Sequence, residues 1–181
     1  MYKRQAQNSK YDNVKIYYRS EESALSDGPI DKIWEWASEL DFTFYVYLNA
    51  CSPLLTPKTI HNFIQHFLNS DNESLFAVKK VRDYFWDDFG KLFLPRGKTT
   101  ILNTKSVDLP TLYQAAHTLY AGRLDDVADG IQLGDFSPGY PEIYPLDSKV
   151  ETLDIDNQEE FEIAEAVYTQ KHGRINIPFI P

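Results

Sequence analysis

Two carboxylates on either side of one isoleucine, Asp154 and Asp156 in the stretch LDIDNQEEFEIAE (153–165), are the pair in this chain best suited to chemistry. Residues i and i+2 of an extended segment point to the same side. The pair could therefore share a hard divalent ion such as Mg²⁺, which takes oxygen ligands, keeps several waters and completes its shell with phosphate oxygens. The same spacing fits a plain helix start, with Asp156 as N-cap, Glu159 closing a capping box and Asp154 solvated beside it. A second candidate is LNACSPLL (48–55), where an apolar run ends in Asn49, Cys51, Ser52 and Pro53. Ligands of open α/β sheets gather outside the carboxyl ends of the strands, so Asn49 and Ser52 would face a crevice there. A strand leaving its sheet through a Ser-Pro turn explains the stretch without a ligand. On spacing alone, both alternatives stay open at both places.

The surrounding pattern says what must position these residues. VKIYYR (14–19) is β-branched and aromatic, which predicts a strand. Pro29 can open a helix in which Ile30, Ile33, Trp34 and Ala37 recur on one face. FTFYVYLNA (42–50) is almost continuously apolar, which predicts a strand covered on both faces and hence the centre of the sheet. Thr56 and Pro57 then cap and begin a helix with Ile60, Phe63, Ile64, Phe67 and Leu68 at helical spacing. SLFAVKK (74–80) reads as the next strand. Strand, helix, strand, helix, strand predicts a Rossmann-like α/β sheet, mixed and mostly parallel, with helices on both faces.

Residues 81–111 break this rhythm, because aromatics alternate with charges around Asp88 and Gly90, as in a hairpin projecting from the sheet. Such a β arm could contact a second subunit and form a homodimer. LYQAAHTLYA (112–121) and EIYPLD (142–147) supply later strands, separated by a Gly- and Asp-rich stretch with a weak helix. The last helix presents Phe161, Ala164, Val167 and Tyr168 as its buried stripe and stops at Gly173.

Composition bounds the function. A chain of 181 residues with 43% hydrophobic and 14% aromatic residues is one folded domain rather than a disordered segment. Its 18 Lys and Arg against 27 Asp and Glu give a net charge of −9, which repels nucleic-acid backbones yet permits a nucleotide whose phosphates are met by a cation. The lone Cys51 excludes an internal disulfide and reads as a small buried thiol in a reducing compartment. No apolar run is long enough to span a bilayer and the start has no secretory apolar region, so no membrane partner is expected and the reading is cytoplasmic.

In order and separation, NACSPLL and DIDNQEEFEIAE resemble two motifs of the acylneuraminate cytidylyltransferase family, the CMP-sugar synthetases. In that family a strand ends in a motif like Q-P-T-S-P-L, and a later D-I-D is followed by an acidic helix ending in A-E. IYYRSEESALSDG also looks like the family's arginine before an acidic loop, and QAAHTLYAG sits where the family has a strand with a small residue and I-Y. The likeness runs from about Val14 to Gly173, and DID is its most specific part. It implies a nucleotide-diphospho-sugar transferase fold and the transfer of CMP from CTP to an acidic nine-carbon sugar, a nonulosonic acid, releasing pyrophosphate. By position, Asp154 and Asp156 would be the catalytic pair holding Mg²⁺ on the CTP phosphates. Asn49 and Ser52 would line the sugar pocket, and Arg19 would approach the acidic sugar or a phosphate. A CMP-Kdo synthetase fits less well, for want of that family's strand-end motif.

Three departures qualify the likeness. Asn49 stands for glutamine and Cys51 for threonine, which points away from ordinary sialic acid. Around Gln114 to His117 the family often has an arginine and a glycine. Gln114 and His117 would line the substrate there, His117 either replacing the basic contact or simply packing in a strand. The family also opens with a glycine-rich basic loop for the CTP phosphates, and nothing before Val14 resembles it. The expectation is an N-terminally truncated domain at 14–173, a non-native or disordered start at 1–13 in which MYKRQ matches a translated sequencing adapter, and a tail at 174–181. The alternative from another class is a noncatalytic α/β module that has lost its nucleotide loop.

Overall fold

In the computed structural model, which describes residues 13–24, 30–93, 111–128 and 139–173, the elements follow in this order. They are α1 (Ile30–Ile33), a 3-10 helix (Glu35–Glu39), β1 (Phe44–Leu48), α2 (Pro57–Asn69), β2 (Leu75–Val81), β3 (Leu112–Arg123), α3 (Leu124–Ala128), β4 (Glu142–Leu146) and α4 (Gln158–His172). The helix expected from Pro29 is thus split, and Trp34 at the break is buried together with Ala37.

The four strands form one sheet in the order β1-β3-β2-β4. β3 pairs antiparallel with both β1 and β2, while β2 pairs parallel with β4. Three strands therefore run one way with β3 against them, and two of the three pairings are antiparallel, so the sheet is mixed but its pairing is not mostly parallel. FTFYVYLNA is also not the central strand. Among the described residues β1 lies at an edge with β3 as its one partner, and Phe44, Val46 and Leu48 are exposed.

VKIYYR forms no strand. Tyr17 and Tyr18 are exposed, and the segment is held by side-chain bonds: the Tyr17 hydroxyl donates to Glu39 Oε1 at 3.3 Å, and the Ser20 N–H donates to Glu35 Oε1 at 2.7 Å. β-branched and aromatic residues favour half-buried pleated surface, and this segment has none to lie on.

The core has two sides. On one, Phe63 and Phe67 of α2 pack on Leu75, Ala77, Leu119, Ala121 and Leu146. On the other, Phe76, Val78 and Tyr120 cluster with Tyr47, while Trp34, Ala37, Leu124 and Val127 pack against Tyr45 and Tyr47. Alternation along β1 explains the division, since the Phe44 ring meets Phe67 and the Tyr47 ring meets Trp34. α2 starts as its sequence indicates, with Thr56 Oγ1 accepting from the Thr59 N–H at 3.2 Å and Pro57 in the first turn. Leu68, expected on its buried stripe, is exposed.

A short hairpin occurs where the arm was expected. Trp86 bridges Leu92 antiparallel, the Phe93 N–H donates to the Phe85 carbonyl at 2.7 Å, and Asp87 Oδ1 accepts from the N–H groups of Phe89 and Lys91. Gly90 closes the turn at φ 77°, a conformation costly for other residues. The remainder of that arm, 94–110, and the segments 1–12 and 174–181 lie outside the described residues.

α4 begins one residue later than expected. Asn157 is the N-cap and accepts from the Glu160 N–H at 3.0 Å, while Glu160 Oε2 accepts from the N–H groups of Asp156 and Asn157. Of its expected stripe only Ala164 is buried, and Phe161 is exposed. Gly173 ends the helix at φ 78°.

Candidate functional site at the end of the first strand

β1 ends at Leu48, and Asn49 next to it is the junction of three distant segments. Its backbone N–H donates to the Thr118 carbonyl at 2.9 Å. Its side-chain amide donates to the His117 carbonyl at 2.8 Å and to Asp154 Oδ1 at 3.1 Å. Its side-chain oxygen accepts from the Cys51 N–H at 3.0 Å, closing a turn of the Asx kind. The Ile155 N–H then donates to the Cys51 carbonyl at 3.0 Å, so the segment carrying both aspartates lies along the turn that follows β1.

The β3 side of the junction is irregular. Phe76 faces Tyr120 and Val78 faces Ala115, so Ala77 alone stands opposite the four residues 116–119. Within this bulge His117 takes φ 52°, where a glycine sits without strain, and it falls in the Gln114 to His117 window where the resemblance calls for one. The His117 Nδ1 lies 2.9 Å from the Tyr120 hydroxyl. Tyr120 is buried, stacked on Tyr47 at 5.6 Å between ring centroids and edge-on to Phe76 at 4.5 Å.

Electrostatics single out Asp154. Partial burial and then the neighbouring Asp156 charge raise its pKa, while His117 and the Asn49 hydrogen bond pull the other way. Burial, followed by the charges of Asp154 and Asp156, also raises the Cys51 thiol. Cys51 is exposed rather than buried as expected, yet these surroundings keep it protonated and a poor nucleophile. Burial likewise raises both tyrosine hydroxyls, with Asp154 contributing to each, and Arg19 opposes the rise at Tyr47.

Of the residues singled out from sequence, Asn49, His117 and Asp154 are joined directly, and Asp156 is close enough to perturb Asp154. Arg19 is near enough for its charge to act on Tyr47, while its Nε donates to Ser23 Oγ at 2.8 Å. Ser52 is buried in the same turn, its N–H donating to the Asn49 carbonyl, and its hydroxyl has no hydrogen-bond partner among the described residues. Gln114 lies beyond the bulge, exposed and opposite Lys79 of β2. Tyr47 and Tyr120 were not anticipated. Alternation would have shown Tyr47, two residues before Asn49, but nothing in the sequence announces the bulge that aims His117 at Tyr120.

As a cation site the pair has two carboxylates and no more. Among the described residues no group of three or more His, Cys, Asp and Glu could hold a metal. A carboxylate such as Asp154, made costlier to ionise by burial and by the charge beside it, does suit a cation that draws its other ligands from water and phosphate. Asp156 is free for this, since Asn157 does the capping. A cavity of about 300 Å³ lies elsewhere, lined by Thr56, Lys58, Asn62, Ser148 and Glu151 among others. There the Glu151 carboxylate already accepts from the Thr56 N–H and hydroxyl.

With this geometry in hand, the fold can be compared with others. The crystal structure of the 4-diphosphocytidyl-2C-methyl-D-erythritol synthase of Anaerococcus prevotii DSM 20548 is similar, with a TM-score of 0.56 over 88% of this chain and 73% of that one, at 15% identity. The likeness is one of fold. No protein-family model matches the chain, and no curated protein matches it either. Among the described residues no helix is long and apolar enough to cross a membrane.

Proposed function

We propose that this domain is a Mg²⁺-dependent cytidylyltransferase that joins CTP to a hydroxyl of an acidic nine-carbon sugar and releases pyrophosphate. The carrying observation is the hydrogen bond from Asn49 to Asp154 Oδ1, which fastens the motif at the strand end to the carboxylate pair. The similarity in fold to a synthase of a diphosphocytidyl compound supports the nucleotide half of the reading. Asp154 and Asp156 would hold the ion, which when bound neutralises phosphate charge and polarises the phosphorus. Asn49 orients Asp154 for that task through one amide hydrogen while its other bonds fix the turn. At the same junction the exposed His117 would meet polar groups of the sugar, while Ser52, buried in the turn, would support it from within, and Arg19 would supply positive charge near Tyr47. Orientation and charge neutralisation carry most of such a phosphoryl-group reaction, which asks little covalent chemistry of the protein.

A noncatalytic interaction module is the second reading, favoured by the exposed Trp86, Phe89 and Phe93 on the hairpin. Calorimetric titration with CTP and Mg²⁺ separates the two. Saturable binding by the wild-type chain, lost at least tenfold in Asp154→Asn, supports the cytidylyltransferase. Binding unchanged in that variant removes the metal role, and no binding at all leaves the module.

A further inference from the structure

His117 is the one non-glycine residue with positive φ among the described residues. An L-residue in that region is strained, and strain retained at a polar junction is a reason to ask what the side chain does. Its ring has a single hydrogen-bond partner among the described residues, the Tyr120 hydroxyl 2.9 Å from Nδ1. The phenol decides the direction of that bond. Tyr120 is only 6% exposed, and burial together with the Tyr47 and Asp154 charges raises its pKa, so it keeps its proton. A buried hydroxyl that keeps its proton donates it where it can. Nδ1 is the only acceptor in reach of it among the described residues. An Nδ1 that accepts carries no hydrogen, and the neutral ring must then hold its proton on Nε2.

We infer that Tyr120 is a positioning residue that locks His117 as the Nε2–H tautomer, so that His117 offers an N–H donor to an oxyanion bound beside Asp154. This rests on the reading that the junction receives a phosphate or carboxylate of the substrate. His117 itself is an exposed residue whose charge acts on Asp154, while its Tyr120 partner is buried. The Tyr47 ring stacked on Tyr120 holds the phenol in place, which leaves the imidazole rather than the phenol to be re-aimed.

Long-range ¹H–¹⁵N NMR on the full chain with ¹⁵N-labelled histidine tests this directly, with His117 assigned by its loss in His117→Asn. The expected result is a pyridine-like Nδ1 and a protonated Nε2 at neutral pH, collapsing to a tautomer average in Tyr120→Phe, which preserves the ring stacking. A protonated Nδ1 in the wild type overturns the inference with no variant needed, and an unchanged pattern in Tyr120→Phe overturns the lock. Inorganic pyrophosphate with Mg²⁺ and N-acetylneuraminate are the two oxyanion probes. A shift at Nε2 with one of them identifies the phosphate or the carboxylate as the group received, and no shift with either overturns the donor role. If the tautomer is as expected but CTP does not bind, the cytidylyltransferase reading fails while the lock stands.

Discussion

The Asn49 side-chain amide sits 3.1 Å from Asp154 Oδ1, a bond between residues 105 apart in sequence. Because the same amide also holds the His117 carbonyl and the Cys51 N–H, Asn49 ties β1, the bulge in β3 and the aspartate segment at one point. Asn49→Ala is expected to lower stability by about 1–3 kcal/mol, since the partners are left partly desolvated and unpaired. Urea denaturation followed by circular dichroism measures it, and a loss below about 0.5 kcal/mol, the range of ordinary surface changes, would count against the junction.

Asp154 predicts an unusual pH response. Its pKa is raised in the folded state, so the fold favours the protonated acid. Its contribution to stability is therefore fully present below the unfolded carboxylate pKa and is lost as pH rises through the folded value. Asp154→Asn keeps an acceptor for Asn49 without the charge. It should melt higher than wild type at pH 7, with the advantage shrinking as pH falls through the carboxylate range. Adding Mg²⁺ should raise the melting temperature of the wild type and not of the variant, as a ligand bound only by the folded state does.

The capping assignment separates two neighbours. Asn157→Ala removes the side chain that accepts from the Glu160 N–H and should cost about 1 kcal/mol. Asp156→Ala leaves the cap intact and should cost less than half of that. Equal losses in matched denaturation curves would return the cap to Asp156 and weaken its case as a ligand.

The bulge allows a comparison of two variants at one position. His117→Val places a β-branched residue at φ 52°, whereas His117→Gly relieves the backbone there. Both lose the bond to Tyr120, so their difference isolates the strain. The valine variant should be less stable than the glycine variant by about 1–2 kcal/mol.

α2, β2, β3 and β4 were legible because their apolar spacing matches what they bury; Phe63 and Phe67 at i and i+4 both reach the core. The order of strands was not. A continuous apolar run such as FTFYVYL says that both faces are apolar and not that both are covered: Tyr47 packs against Trp34, while Phe44 touches Phe67 yet stays exposed with Val46 and Leu48. It carries no mark of which edges are hydrogen-bonded, because those groups belong to the backbone and are alike in every residue. Hence a strand read as central lies at an edge. The cap slipped by one residue for a related reason, since Asp and Asn serve almost equally as N-caps. The Asn49 to Asp154 bond was approached only through the pairing of motifs, for no local periodicity reaches across that distance.

The place of β3 between β1 and β2 has a consequence for how the chain folds. β1 and β2 are joined by α2, yet neither finds its sheet partner until Leu112–Arg123 arrives to separate them. Helix α2 can form early and locally, but the sheet is assembled from distant segments, which favours slow, late closure. A ribosome-bound chain that ends at Phe93 holds two strands with nothing to pair them, so their aromatic faces stand exposed until β3 emerges. Synthesis order and assembly order thus differ in this domain, and the interval between them is when it is most exposed to aggregation.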